Sequence, residues 1–175
     1  MEKEFENCLR AYLLNNKLNK IDNDKSLIKL ALEQSLQTIL YPVYNDKSYK
    51  KYYVSWVLKQ EEFISLQNEM TDIFNKNDIK HFYFKGSVLC YLYDDPSIRT
   101  RGDIDLYVDI SDLEKAKKLL IENGYKFEED SIEPHNIAFN KNDIEIELHF
   151  VLFDDSHPKD LIKYFNDPFS MTIKK

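Results

Sequence analysis

The hydrophobic period of this chain changes once, near Asp78, and that change limits the folds open to it. Before it, Leu27, Ile28, Ala31, Leu32, Leu36, Ile39 and Leu40 recur at helical spacing. Trp56, Val57, Phe63, Ile64, Leu66, Met70, Ile73 and Phe74 then form a second, longer stripe. The spacing predicts a helix over Leu27–Tyr41 ending at Pro42, a helix over about Tyr49–Asn77, and a short one within residues 1–25. After Asp78 the texture is β-branched and aromatic. "IKHFYFK", "DIDLYVDI", "HNIAFN" and "DIEIELHF" read as strands, with "YKFEE" a shorter one. "VLCYLY" reads as a short helix, and "DLEKAKKLLIENG" as a helix capped by Ser111 and stopped at Gly124. Asn140-Lys141-Asn142 reads as the turn between the last two strands, and "SHPKDLIKYF" as a final helix. The order is helices, then β-α-β-α-β-β-β, then helix, which predicts an α+β domain with a mixed sheet. The expected division is a helical region, 1–77, packed on a core domain, 78–175.

Charge narrows the partners. The 175 residues carry a formal net charge of -7, which counts against bulk nucleic-acid binding. A nucleotide is not excluded, because a small site needs only one or two local cations. The two cysteines, Cys8 and Cys90, form no ligand or disulfide pattern and indicate a reducing compartment. No apolar run approaches the length of a membrane span, and "MEKEFENCLR" lacks the apolar core of a signal peptide. These features predict a soluble cytoplasmic protein without membrane association.

The chemistry concentrates in "KGSVLCYLYDDPSIRTRGDIDLYVD", Lys85 to Asp109. Residues two apart in a strand point to one side, so Asp103 and Asp105 project together while Ile104 and Leu106 face the core. Two adjacent carboxylates raise each other's pKa, and a divalent cation relieves that repulsion. Such an ion keeps open positions for phosphate oxygens, as phosphoryl or nucleotidyl transfer requires. In "DIEIELHF", Glu145, Glu147 and His149 share one face and Ile144, Ile146 and Leu148 the other, which offers further acids. Upstream, Gly86 lets a phosphate approach the backbone and Ser87 adds a hydroxyl. Lys85 and Arg99 are candidate phosphate cations, and Arg101 reads as solvated. Asp109 shares the parity of the pair but falls at the strand's far end, where a capping or loop role fits better.

A Gly-Ser followed by Asp-x-Asp on a strand, with a third acid on a later strand, resembles the DNA polymerase β-like nucleotidyltransferase superfamily. More narrowly, "FKGSVLCYLYDDPSIRTRGDIDLYVD" and "HNIAFNKNDIEIELHF" resemble the corresponding elements of the uncharacterised nucleotidyltransferase family NTP_transf_5. The resemblance covers about Ile79–Leu152 and a helical lead-in. It implies a polymerase β-like core in which Gly86 and Ser87 hold triphosphate. Asp103 and Asp105 bind two Mg²⁺ ions, with Mn²⁺ the alternative. Glu147 is the third carboxylate and the base, with Glu145 the fallback. His149 supports Glu147 or touches substrate, and His135 matches a family histidine. Three departures stand out: a long Val88–Gly102 segment, Glu rather than Asp as the third acid, and Phe150 in place of Trp. The chain is also shorter than longer members, which leaves acceptor-binding helices outside it. The implied activity moves a nucleoside monophosphate from an NTP, ATP by default, to a hydroxyl of a small molecule or protein. One protein acceptor considered is a toxin modified by its antitoxin. The alternative is a nucleotide- or partner-binding protein that keeps the fold without turnover.

Overall fold

A computed structural model describes residues 2–153 and 156–172. The chain divides into two compact units: Met1–Glu62 with Cys90–Arg101, and Phe63–Leu89 with Gly102–Lys175.

In the first unit, α1 (Glu2–Leu13) buries Phe5, Cys8 and Ala11, and α2 (Lys25–Glu33) buries Leu27 and Ala31. The helix expected over Leu27–Tyr41 is broken. Ser35 takes a left-handed φ of 54°, after which a 3₁₀ turn, Gln37–Ile39, leads into α3 (Leu40–Tyr44). Pro42 lies inside the first turn of α3, where a missing N–H removes no helical bond, so it does not end the helix. Ile39, Leu40, Val43, Tyr44 and Tyr49 complete the apolar cluster, joined by Ile98 from a 3₁₀ turn, Pro96–Ile98. Thr38 Oγ1 donates to the Ile98 carbonyl at 3.0 Å, and Thr100 Oγ1 to that of Ser35 at 2.7 Å, fixing the incoming segment. The long helix α4 (Lys47–Lys76) begins in this unit.

The second unit holds a five-stranded mixed sheet. Its elements are β1 (His81–Tyr83), α5 (Gly86–Leu89), β2 (Asp103–Val108), α6 (Leu113–Glu122), β3 (Lys126–Phe127), β4 (Asn136–Lys141), β5 (Ile144–His149) and α7 (Lys159–Tyr164). The strand order is β1-β2-β5-β4-β3, with β2 and β5 parallel and the other pairs antiparallel. The edge strands β1 and β3 are the shortest. One sheet face is apolar: Ile104, Leu106, Val108, Ile137, Phe139, Ile144, Ile146 and Leu148 are all buried. In α4, Phe63, Leu66, Met70 and Phe74 are buried too, and Phe74 meets His81 edge-on at 5.3 Å. Tyr83 Oη donates to the Gln67 carbonyl at 2.7 Å, tying β1 to that helix.

With only three glycines in the chain, Asn and Asp take most of the left-handed positions, since their short polar side chains tolerate them. The β4–β5 hairpin turns on Asn142 and Asp143, at φ 55° and 56°, rather than on Asn140–Asn142. Two successive positive φ values match the twist of a tight hairpin, and this choice keeps Ile144, Ile146 and Leu148 on the core face. The helix after β2 is also entered differently from the sequence expectation. Asp109 Oδ1 accepts from the Ser111 amide (2.9 Å) and hydroxyl (2.6 Å), so Asp109 caps a 3₁₀ turn, Ile110–Asp112, that leads into α6, and Ser111 is its donor.

Candidate active site

Three cross-strand rungs build the polar sheet face. Asp103 lies opposite Glu145, which lies opposite Asn140. Asp105 lies opposite Glu147, then Ala138. Tyr107 lies opposite His149, then Asn136. Paired residues share a face, so the parallel register of β2 and β5 sets the acids of two separate segments side by side. Ala138, 3% exposed, leaves room beside Glu147 that a larger side chain would fill.

The central rung and its neighbours form a tight cluster. Asp105 is 1% exposed. Its Oδ1 accepts from Lys85 Nζ at 2.5 Å and lies 3.2 Å from His149 Nε2, which is 3.0 Å from Glu147 Oε2. Lys85 Nζ also lies 3.5 Å from Glu147 Oε2. Lys85 reaches these oxygens from the turn after β1, at a left-handed φ of 47°, where the Phe84 amide donates to the Asp105 carbonyl. A lysine in that conformation is uncommon and marks a turn held by its surroundings. The His149 ring meets Phe84 edge-on at 4.9 Å and stacks on His135 at 5.8 Å. His135 in turn holds the end of β5, its carbonyl accepting from the Phe150 and Val151 amides.

Charge in this cluster is uneven. Burial opposes ionisation of Asp105, but hydrogen bonds from His149 and Lys85 outweigh it and hold its pKa below the ordinary carboxylate value. Asp103 shifts the other way: burial, then the Asp105 and Glu147 charges, push its pKa up. For Lys85, burial works against the charge, yet Asp105, Glu147 and Asp103 together raise its pKa.

The donor set suits a divalent cation. One ligand atom each from Asp105, Glu147 and His149 lie within 4.8 Å of one another. Asp105 Oδ2 is buried and makes no hydrogen bond, a costly state for a carboxylate oxygen unless a cation meets it. Asp103 lies outside this set of three and is joined to it by charge.

The remaining candidates fall in different places. Gly86 and Ser87, both buried, open the single turn of α5 directly after Lys85. Glu145 is exposed at the outer rung. Arg99 is half-buried in the first unit, at the end of the Pro96–Ile98 turn. Arg101 is not solvated as the sequence suggested; it is 7% exposed in that unit. Sequence reasoning cast Lys85 as a phosphate cation and did not foresee its pairing with both carboxylates. The signal lies in its position two residues past β1, a strand that pairs with β2.

With this geometry in hand, comparison with known proteins is direct. A family model described as "Uncharacterised nucleotidyltransferase" matches residues 23–172. The chain belongs to this nucleotidyltransferase family. The match spans both units and includes every residue of the cluster, which ties the acidic sheet face to a family named for nucleotidyl transfer. Searches of curated proteins and of solved structures returned no significant match. Among the described residues, no helix is long and apolar enough to cross a membrane.

Proposed function

We propose that the polar face of β2 and β5 is the centre of a metal-dependent nucleotidyltransferase. It moves a nucleoside monophosphate from an NTP, ATP by default, to the hydroxyl of a small molecule or protein. The observation that carries this reading is the central rung: Asp105 opposite Glu147, with Asp103 and His149 beside them, in a chain of a nucleotidyltransferase family.

Asp103, Asp105 and Glu147 are the residues to hold divalent ions, Mg²⁺ or Mn²⁺. Bound there, such ions neutralise phosphate charge and stabilise the transition state. Glu147, one-quarter exposed, takes the proton of the acceptor hydroxyl as its oxygen attacks the α-phosphorus and pyrophosphate leaves. Lys85, with its side chain about half exposed, can leave the carboxylates for the phosphates of the incoming nucleotide. Gly86 and Ser87 take the triphosphate in the family resemblance. A cytoplasmic setting fits the two buried cysteines, Cys8 and Cys90, which form no disulfide.

A second reading has one observation in its favour. The Lys85 ammonium already bridges Asp105 and Glu147, as in a site that binds nucleotide without turning it over. Pyrophosphate release from each of the four NTPs, with Mg²⁺ or Mn²⁺, separates the two. Turnover lost in Asp105→Asn is the expected result. NTP binding without pyrophosphate from the wild type supports the binding protein.

A further inference from the structure

We propose that His149 Nε2 is a direct ligand of the cation held by Asp105 and Glu147, and that this imidazole makes the site select Mn²⁺ over Mg²⁺. The inference rests on the cation-binding reading of the site, but not on turnover.

Three observations converge on the imidazole. First, the metal-compatible set joins His149, not Asp103, to Asp105 and Glu147. The register explains this: His149 occupies the rung beyond Glu147 on the same strand face, while Asp103 occupies the rung on the other side. Second, Nε2 is the ring atom aimed at both carboxylates, 3.2 Å from Asp105 and 3.0 Å from Glu147. The ring is 4% exposed and braced by Phe84 and His135, so its aim is set by packing rather than by solvent. Third, Asp105, 1% exposed and a member of that set, carries a buried carboxylate oxygen, Oδ2, with no hydrogen bond.

The chemistry of the donors sets the preference. Mg²⁺ is small and hard, keeps its waters and favours an all-oxygen shell. Imidazole nitrogen suits first-row transition ions; Mn²⁺, though lowest in that series and content with carboxylate and phosphate oxygens, tolerates one nitrogen better than Mg²⁺ does. A site with one imidazole and two carboxylates therefore gains more from Mn²⁺ than an all-carboxylate site does. The ligand role requires the His149 tautomer with its proton on Nδ1.

The test is pulsed electron paramagnetic resonance of the tag-free full chain loaded with Mn²⁺ and no nucleotide. Expected is modulation from one directly bound ¹⁴N, replaced by ¹⁵N modulation when histidine is ¹⁵N-labelled. The signal is lost in His149→Gln and kept in His135→Phe. By titration calorimetry, His149→Gln lowers Mn²⁺ affinity roughly tenfold or more and Mg²⁺ affinity less than about threefold. Absence of bound nitrogen in the wild type overturns the proposal, as does failure to bind Mn²⁺ or an equal loss of both ions in the variant. Should His149→Gln not fold, the isotope replacement in the wild type decides together with its persistence in His81→Phe, His135→Phe and His157→Ala, which leaves His149 of the four histidines. Bound nitrogen without pyrophosphate release leaves this inference standing and removes the enzyme reading; turnover without bound nitrogen does the reverse.

Discussion

Replacing Asp103 with Asn should make the cation-free protein more stable. Asp103 is half-buried, and its folded pKa is raised by burial and then by the Asp105 and Glu147 charges. Among the charges that shift its pKa, those two carboxylates oppose one ammonium, Lys85, leaving about one negative charge in excess. Two residues along a strand span about 7 Å. At an effective dielectric of about 20, one unit charge at that distance gives roughly 2.4 kcal/mol of repulsion. Partial exposure and salt reduce this by about half, to ~1 kcal/mol. In a chain of this size that corresponds to a rise of about 2–4 °C in Tm. The assay is thermal unfolding of wild type and Asp103→Asn in a chelator at pH 7.5. The sign of the pH dependence follows from the raised pKa: the ionised form is the one the folded state disfavours. Wild type therefore gains on the variant as pH falls through the raised folded-state value, and the gap narrows toward the ordinary carboxylate range. An unchanged or lowered Tm at pH 7.5 refutes the premise that Asp103 belongs to a repelling acidic cluster.

Two other perturbations probe neighbouring features. Lys85→Gln removes the ammonium that competes for Asp105 Oδ1 and Glu147 Oε2. Divalent-ion affinity without nucleotide should rise about tenfold by calorimetry, near the worth of one charge-assisted bond; an unchanged affinity sinks the competition. Asp143→Gly relieves a non-glycine residue from φ 56° and creates the Asn-Gly pair favoured in tight hairpins. A gain of about 0.5–1 kcal/mol in urea unfolding is expected, and a loss counts against the turn geometry.

Much of this site could be read in the sequence because strand parity is a local property. Asp103 and Asp105, like Glu147 and His149, were assigned to a shared face by counting in twos, and the structure keeps both pairings. Which acid would oppose which could not be read. The Asp105–Glu147 rung depends on a parallel pairing between segments about 40 residues apart, and no local signal encodes that register. The same limit hid the Lys85 contacts, which follow from β1 pairing with β2. Errors in the helical region have a different origin. Ser35 breaks the Leu27–Tyr41 stripe without a glycine, and Pro42 sits where a helix tolerates it, so residue type alone pointed the wrong way. Charge predicts exposure on average, so the sequence points to a solvated Arg101, and its burial is a tertiary outcome.

The outermost strands of the sheet are its shortest: three residues in β1, and in β3 two, with Lys126 exposed and the Lys117 ammonium 3.8 Å from the Phe127 ring centre. A foreign strand therefore finds little unpaired backbone to template on, and on one rim it meets positive charge. The molecule should tolerate high concentration and repeated freezing without seeding fibrils, even though its interior strands are rich in isoleucine and leucine.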